Sequence, residues 1–261
     1  MLIATALVAV AVAAVPTRVP VVTPLAIGVV AAVDVPASLL RIVLEETDAI
    51  WNPAGIAFAW TFTSADDAAA LCVVVDNEVR AHVDGRTPLG WISFDARNVP
   101  DRVFHVSYAN AKALLEASYD AIGSVQNMPI AQRELYLGRA MGRALAHELG
   151  HYLLASKSHA RTGLMRASRT SVQFVLPDRQ AFAVPAPVAD AVVAALRLRE
   201  SAAAAPATDA ARGSGSGATI PHAQETSRIH RLRALAGGGG AVRAVEAGGA
   251  EDHHAERTFR P

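Results

Sequence analysis

Apolar positions along this chain follow two rhythms, and the change from one to the other marks out its elements. Residues 25–33 are a β-branched apolar run that reads as a strand. Residues 36–51 (PASLLRIVLEETDAIW) repeat at helical spacing instead, with Pro36 near the start and Asn52-Pro53 closing the pattern. Four further short runs, 55–62, 70–75, 89–94 (LGWISF) and 102–107 (RVFHVS), predict strands. Helical spacing returns at 110–117, over the long segment 130–154, and at 188–198. In the long segment Leu135, Met141, Leu145, Leu149 and Leu153 form an apolar stripe, mostly at four-residue steps, so that helix is expected to be largely buried. Gly138, Gly142 and Gly150 interrupt it, each at a cost of about 1 kcal/mol against Ala, which predicts that something packs closely on this backbone.

The end of that helix carries the chemistry. His147-Glu148-Leu149-Gly150-His151 places two imidazoles four residues apart, on one helical face, where both can reach one metal ion. Glu148 lies about 60° around the helix from His151. A carboxylate there faces the open side of the metal without ligating it, and can take a proton from a water that zinc acidifies to a pKa of about 7. About 1 chain in 80 of this composition would carry the five residues by chance, so the surroundings must decide. A catalytic zinc takes three protein ligands and keeps one position open. No Glu occurs between Tyr152 and Arg199, which leaves His159, Asp178 and Asp190 as candidates for the third. His159 is the first choice because its short spacing lets a loop fold straight back under the helix end.

The segment HELGHYLLASKSHARTGLM resembles the metzincin metallopeptidases, in which a His-Glu-x-x-His helix is followed by a turn, a third His and a methionine turn beneath the metal. The resemblance implies an α+β zincin fold spanning about residues 24–200: a mixed twisted sheet of about five strands, an active-site helix, a Met-turn and a C-terminal helix. It implies one catalytic Zn2+ on His147, His151 and His159, Glu148 as general base, and Met165 in the Met-turn. The family pattern puts Gly three residues and the third His six residues after the second His, whereas this chain has Leu154 and Lys157 there. The third His is displaced by two residues, and a longer connecting loop is expected. Met165 also has a plainer reading, as filler of an apolar gap. LGWISF stands where the family has its edge strand above the metal, so Gly90, Trp91 and Ile92 are the candidates for holding an extended peptide by strand addition. An ordinary half-buried strand with Trp91 in the core is the alternative. The family's Tyr after the Met has no counterpart, since Ala167 occupies that region, and Tyr152 is expected to point away from the ligand face. His105, between Phe104 and Val106, and His82, in a polar connection, are read as structural or solvated.

Composition narrows the picture further. The 261 residues are 52% hydrophobic, enough for one sizeable core. Net charge is zero and the basic residues are dispersed, so a nucleic-acid partner is not expected; a peptide or protein substrate is. Lysine occurs only at Lys112 and Lys157, against 22 Arg, a bias of composition and not of function. Residues 1–15 (MLIATALVAVAVAAV) resemble a secretory signal peptide, too short for a stable membrane span, and point to a secreted or periplasmic protein. Cys72, the single cysteine, is expected to be a small core hydrophobe. From 201 to 261 the chain turns rich in Ala, Gly and Arg with one aromatic, Phe259, which predicts a disordered tail; His222, His253 and His254 belong to it. Two functions follow: a secreted zinc endopeptidase, or a catalytically silent zinc-binding or partner-binding module on the same scaffold. Glu148 favours the enzyme, since a structural site needs no base and is usually closed by a fourth ligand.

Overall fold

The computed structural model describes residues 23–63, 71–80 and 87–204. The apolar run at 1–15, His82 and the stretch beyond 204, with its histidines, lie outside the described residues. Five strands, β1 (Leu25–Ala31), β2 (Phe58–Phe62), β3 (Cys72–Asp76), β4 (Gly90–Phe94) and β5 (Pro100–Ser107), form one sheet in the order β2-β1-β3-β5-β4. The first four in that order are mutually parallel, and β4 runs antiparallel to β5 at the edge. The sheet is thus mixed and five-stranded, as expected.

The helices are α1 (Ala37–Trp51), α2 (Tyr108–Glu116), α3 (Tyr119–Ile122), α4 (Ile130–Leu153), α5 (Ser171–Val175) and α6 (Ala186–Ala204). Alternation of side chains along the strands puts Ile27, Val29, Val73, Val75, Phe104 and Val106 into a common core with Leu39 and Val43 of α1 and Met141, Leu145 and Leu149 of α4. Cys72 is buried in β3. No helix among the described residues is long and apolar enough to cross a membrane.

Two details depart from the sequence reading. The buried row of α4 runs through Leu137 and not Leu135, which is exposed. Leu137 continues the four-residue step to Met141, whereas Leu135 lies six residues from Met141, about 240° around the helix. The last helix is also longer than expected, starting at Ala186 and running to Ala204.

The glycines of α4 have identifiable partners. A Cβ at Gly138 would strike the side chain of Ile42, and one at Gly142 would stand 2.6 Å from the Val43 carbonyl oxygen and 2.7 Å from Glu46 Cβ. Helix α1 therefore crosses α4 at backbone contact. Helix propensity alone favours Ala over Gly by about 1 kcal/mol, but overpacking costs about 1–3 kcal/mol, and here the obstacle is backbone. Gly142→Ala is expected to lower stability by about 2 kcal/mol in denaturant unfolding; a gain in stability would show that the two helices can separate freely.

Candidate metal centre

The last two turns of α4 bring His147 and His151 onto the same side of the helix, and the loop behind it delivers His159. Their ring nitrogens form a group whose ligand atoms all lie within 4.8 Å of one another, and among the described residues no fourth ligand-type side chain joins it. Asp178 and Asp190 stand outside it; Asp178 Oδ1 instead accepts from the Gln180 amide at 2.8 Å.

Each helix histidine is held from behind. His147 Nδ1 lies 2.9 Å from the Leu164 carbonyl oxygen and His151 Nδ1 lies 2.7 Å from that of Ser156. A carbonyl oxygen only accepts, so Nδ1 is the protonated nitrogen in both rings and each neutral ring turns a bare Nε2 lone pair forward. The two Nε2 atoms are 3.1 Å apart. Two lone pairs at that distance repel unless a cation lies between them. Tetrahedral zinc, with Zn–N of about 2.0–2.1 Å, spaces its nitrogen ligands by about 3.3 Å, so this donor set fits zinc. His159 stands across from both, its ring 5.3 Å from that of His147 and 4.9 Å from that of His151.

The electrostatics keep the rings neutral. Burial pushes His147 down to about 4, against the opposing pull of the Leu164 carbonyl. His151 and His159 are lowered too, again chiefly by burial. Glu148 moves the other way, to about 8, because its carboxyl is buried; the Ile92 backbone N–H, which donates to it, opposes the shift. A Cβ at Gly90 would lie 3.2 Å from Glu148 Cγ, so glycine there leaves the Glu148 side chain its room beneath β4. Gly90 and Ile92 face α4, while the Trp91 ring lies on the opposite face of the sheet, stacked on His105 at 5.1 Å. Tyr152 packs edge-on against Phe104, turned to the sheet.

Beneath the histidines, Gly163, Leu164 and Met165 make a tight turn. Gly163 adopts φ +70°, and a Cβ there would meet the Ala183 carbonyl and Pro185. The Leu164 amide donates to Ala183 O at 2.9 Å, and the Ala160 amide donates to Met165 O at 2.8 Å, which ties the His159 loop to the turn. The Met165 thioether lies against Gly150, the glycine inside the helix motif, where a Cβ would strike its sulfur. Met165 therefore sits directly under the motif and also fills an apolar gap among Trp51, Leu153, Leu164 and Phe182.

Two residues that pattern reading passed over complete the support. Arg169 Nη2 donates to the carbonyls of Gly163 at 2.5 Å and Leu164 at 2.9 Å, with its guanidinium 4.2 Å over the Phe182 ring. Leu164 O thus accepts from both Arg169 and His147. Ala155 is the other: it holds φ +47°, its amide donates to Tyr152 O at 3.1 Å and the Ser156 amide donates to His151 O at 3.1 Å. The left-handed residue that ends the helix falls one position after Leu154, and that turn aims the Ser156 carbonyl at His151. An arginine in a loop and an alanine at positive φ leave no local signature in a sequence.

No family model and no curated protein matches the chain. Among solved structures, archaemetzincin from Methanopyrus kandleri aligns with it at 14% identity and a TM-score of 0.42, over 67% of this chain and 96% of that one. A likeness that distant carries no argument about chemistry.

Two outcomes follow from the geometry. In metal-free protein, Glu148 is protonated on both sides of the folding equilibrium below about 4.5 and ionises in the unfolded chain first as pH rises, so its burial costs stability progressively between 4.5 and about 8. Glu148→Gln, unfolded in denaturant with a chelator present, is expected to match the parent below pH 4.5 and to exceed it by up to about 5 kcal/mol above pH 8; a constant difference across pH would remove the buried-carboxyl account. At the left-handed turn, Ala155→Gly is expected to raise stability by about 0.5–1 kcal/mol, since glycine adopts that conformation without steric cost. A loss there would mean that the turn is not strained.

Proposed function

We propose that this chain is a secreted, metzincin-like zinc endopeptidase in which His147, His151 and His159 hold one Zn2+ and Glu148 is the general base. The observation that carries this reading is the pair of forward-facing Nε2 atoms 3.1 Å apart, each ring held by a carbonyl behind it, with Glu148 on the adjoining helical position. Zinc held there supplies a Lewis acid that polarises a carbonyl and acidifies water. Three histidines holding the ion would leave a position open for such chemistry.

The chain's own groups do the rest. Glu148 takes the proton of the attacking water as the scissile carbonyl is attacked, and later hands it to the departing amine. Its seclusion beneath β4 keeps bulk water from competing for that proton, and a nearby dication favours the ionised form that the first step requires. Edge strand β4 lies beside the carboxyl through Gly90 and Ile92. An extended peptide added to that edge is held by main-chain hydrogen bonds, which are indifferent to its side chains. Since the Trp91 ring turns to the other face, Trp91 contributes backbone and not its indole. Export rests on the apolar run at residues 1–15.

The test combines metal analysis with cleavage of a mixed peptide library. Glu148→Gln is expected to keep its zinc and lose cleavage by about 100-fold or more. His159→Ala is expected to weaken zinc binding at least about tenfold, as loss of a ligand would; unchanged affinity would move the third ligand elsewhere, with Asp178 next to be replaced. A parent that binds zinc and cleaves nothing would be the silent module instead.

A further inference from the structure

A second group of metal-type donors lies on the sheet face opposite α4. Asp76 at the end of β3, Glu78 just beyond it and His105 in β5 present ligand atoms all within 4.8 Å of one another. Register explains the meeting: Val74 pairs with His105 and Asp76 with Ser107, so Asp76 and His105 are diagonal neighbours on one face. The Asp76 side chain is 9% exposed. Its Oδ1 accepts from the Glu78 amide at 2.8 Å, but Oδ2 is buried with no hydrogen-bond partner, and so is His105 Nδ1.

Those two orphaned atoms face each other at 3.8 Å. That is too long for a hydrogen bond and a few tenths of an ångström wider than the about 3.3–3.6 Å between two ligands of a tetrahedral ion with bonds of about 2.0–2.2 Å, so a small inward shift seats both on one ion. A buried carboxylate oxygen without a partner is costly, and a cation removes the cost. The surroundings are built and not loose. Ser107 Oγ donates to Glu78 O at 2.6 Å, and Asn110 Nδ2 donates to Arg80 O at 3.0 Å and Pro88 O at 2.8 Å, strapping both ends of the connection after β3. The Trp91 ring, 3° from parallel, lies against the His105 imidazole and fixes its plane.

We propose that Asp76, Glu78 and His105 form a second, structural site for a transition-series dication of the zinc kind. Two carboxylates offset the ion's charge, and the imidazole selects against calcium and magnesium, which take oxygen ligands. The exposed Glu78 side chain, its carboxylate already within 4.8 Å of the other two donors, closes the site from the solvent side. The ion joins β3 to β5 and, through the Trp91 stack, braces edge strand β4. This site is independent of the histidine centre on α4.

The experiment is zinc stoichiometry of the full chain after loading with zinc and desalting, together with an anomalous-scattering map at the zinc edge. The parent is expected to hold two zinc ions, and Glu78→Gln and Asp76→Asn one each, with the map placing the second ion among Asp76, Glu78 and His105. Because Glu78 is exposed, Glu78→Gln keeps the fold and decides the matter if Asp76→Asn does not fold. In a His147→Ala, His151→Ala background one ion is expected to remain; one that remains there and disappears on Glu78→Gln supports this site even if the α4 centre holds nothing. A parent holding a single ion that is lost with His147 and His151, or a Glu78→Gln protein with the parent's stoichiometry and affinity, overturns the proposal.

Discussion

The crossing of α1 and α4 at backbone contact is the constraint on which the rest of the molecule depends. Gly138 and Gly142 let the helices approach until side chains of one bond to the backbone of the other: Thr47 Oγ1 donates to Gly142 O at 3.1 Å and Trp51 Nε1 donates to Ala146 O at 3.1 Å. Between these two, Arg143 Nε meets Glu46 Oε1 at 2.8 Å with both side chains buried, and Arg179 Nη2 holds the other oxygen at 2.7 Å. A buried ion pair is weak evidence of net stability. Its effect here is on register, since a turn of α4 about its own axis would pull the buried Arg143 guanidinium off Glu46 and leave that carboxylate to Arg179 alone. Rotation of α4 is what aims His147, Glu148 and His151, so the contacts one turn earlier set the direction of the ligands.

A second set of contacts fixes the rings once the helix is set. Arg143 Nη1 donates to Gln173 O at 2.5 Å, tying α4 to α5 just past the methionine turn. Arg169 then holds the Leu164 carbonyl on which His147 rests, and the Ala155 turn presents the Ser156 carbonyl to His151. Each histidine is thereby oriented by a carbonyl whose own position is determined. Burial makes the arrangement consistent electrically: it keeps the rings neutral, the state that donates a lone pair, and it raises the carboxyl of Glu148, the group proposed to exchange a proton.

What the sequence made legible was local. The motif helix, the strands and α1 show in apolar periodicity because neighbouring residues determine each face, and the glycines of α4 announced a close contact without naming it. The slip from Leu137 to Leu135 shows the limit of even that signal, because one stripe position read out of step changes which face is buried. Non-local facts were hidden. Glu46 and Arg143 are 97 residues apart, so nothing short-range in the chain pairs them. His105 read as an ordinary strand residue because its partner Asp76 is revealed only by the register of β3 on β5. The displaced third histidine was legible as a displacement, but not its structural solution, since the left-handed turn falls on Ala155, where no glycine marks it.

The two faces of the β4–β5 pair meet at one residue. A Cβ on Gly90 would lie 3.2 Å from Glu148 Cγ and 3.0 Å from the His105 carbonyl oxygen. Gly90 is therefore held between the carboxyl proposed as base and the backbone of the strand that bears the proposed second metal ligand. Edge strands have partners on one side only and are otherwise the least constrained part of a sheet. A strand that keeps a fixed distance from a buried carboxyl, and on the proposed reading also takes up an extended peptide, needs stiffness from its other neighbour. Trp91 stacked on His105, with the Arg80 guanidinium 5.0 Å from the indole, supplies it from the face opposite α4. Alternation along β4 thus divides the work: Gly90 and Ile92 meet Glu148 on one side, and Trp91 anchors the strand on the other.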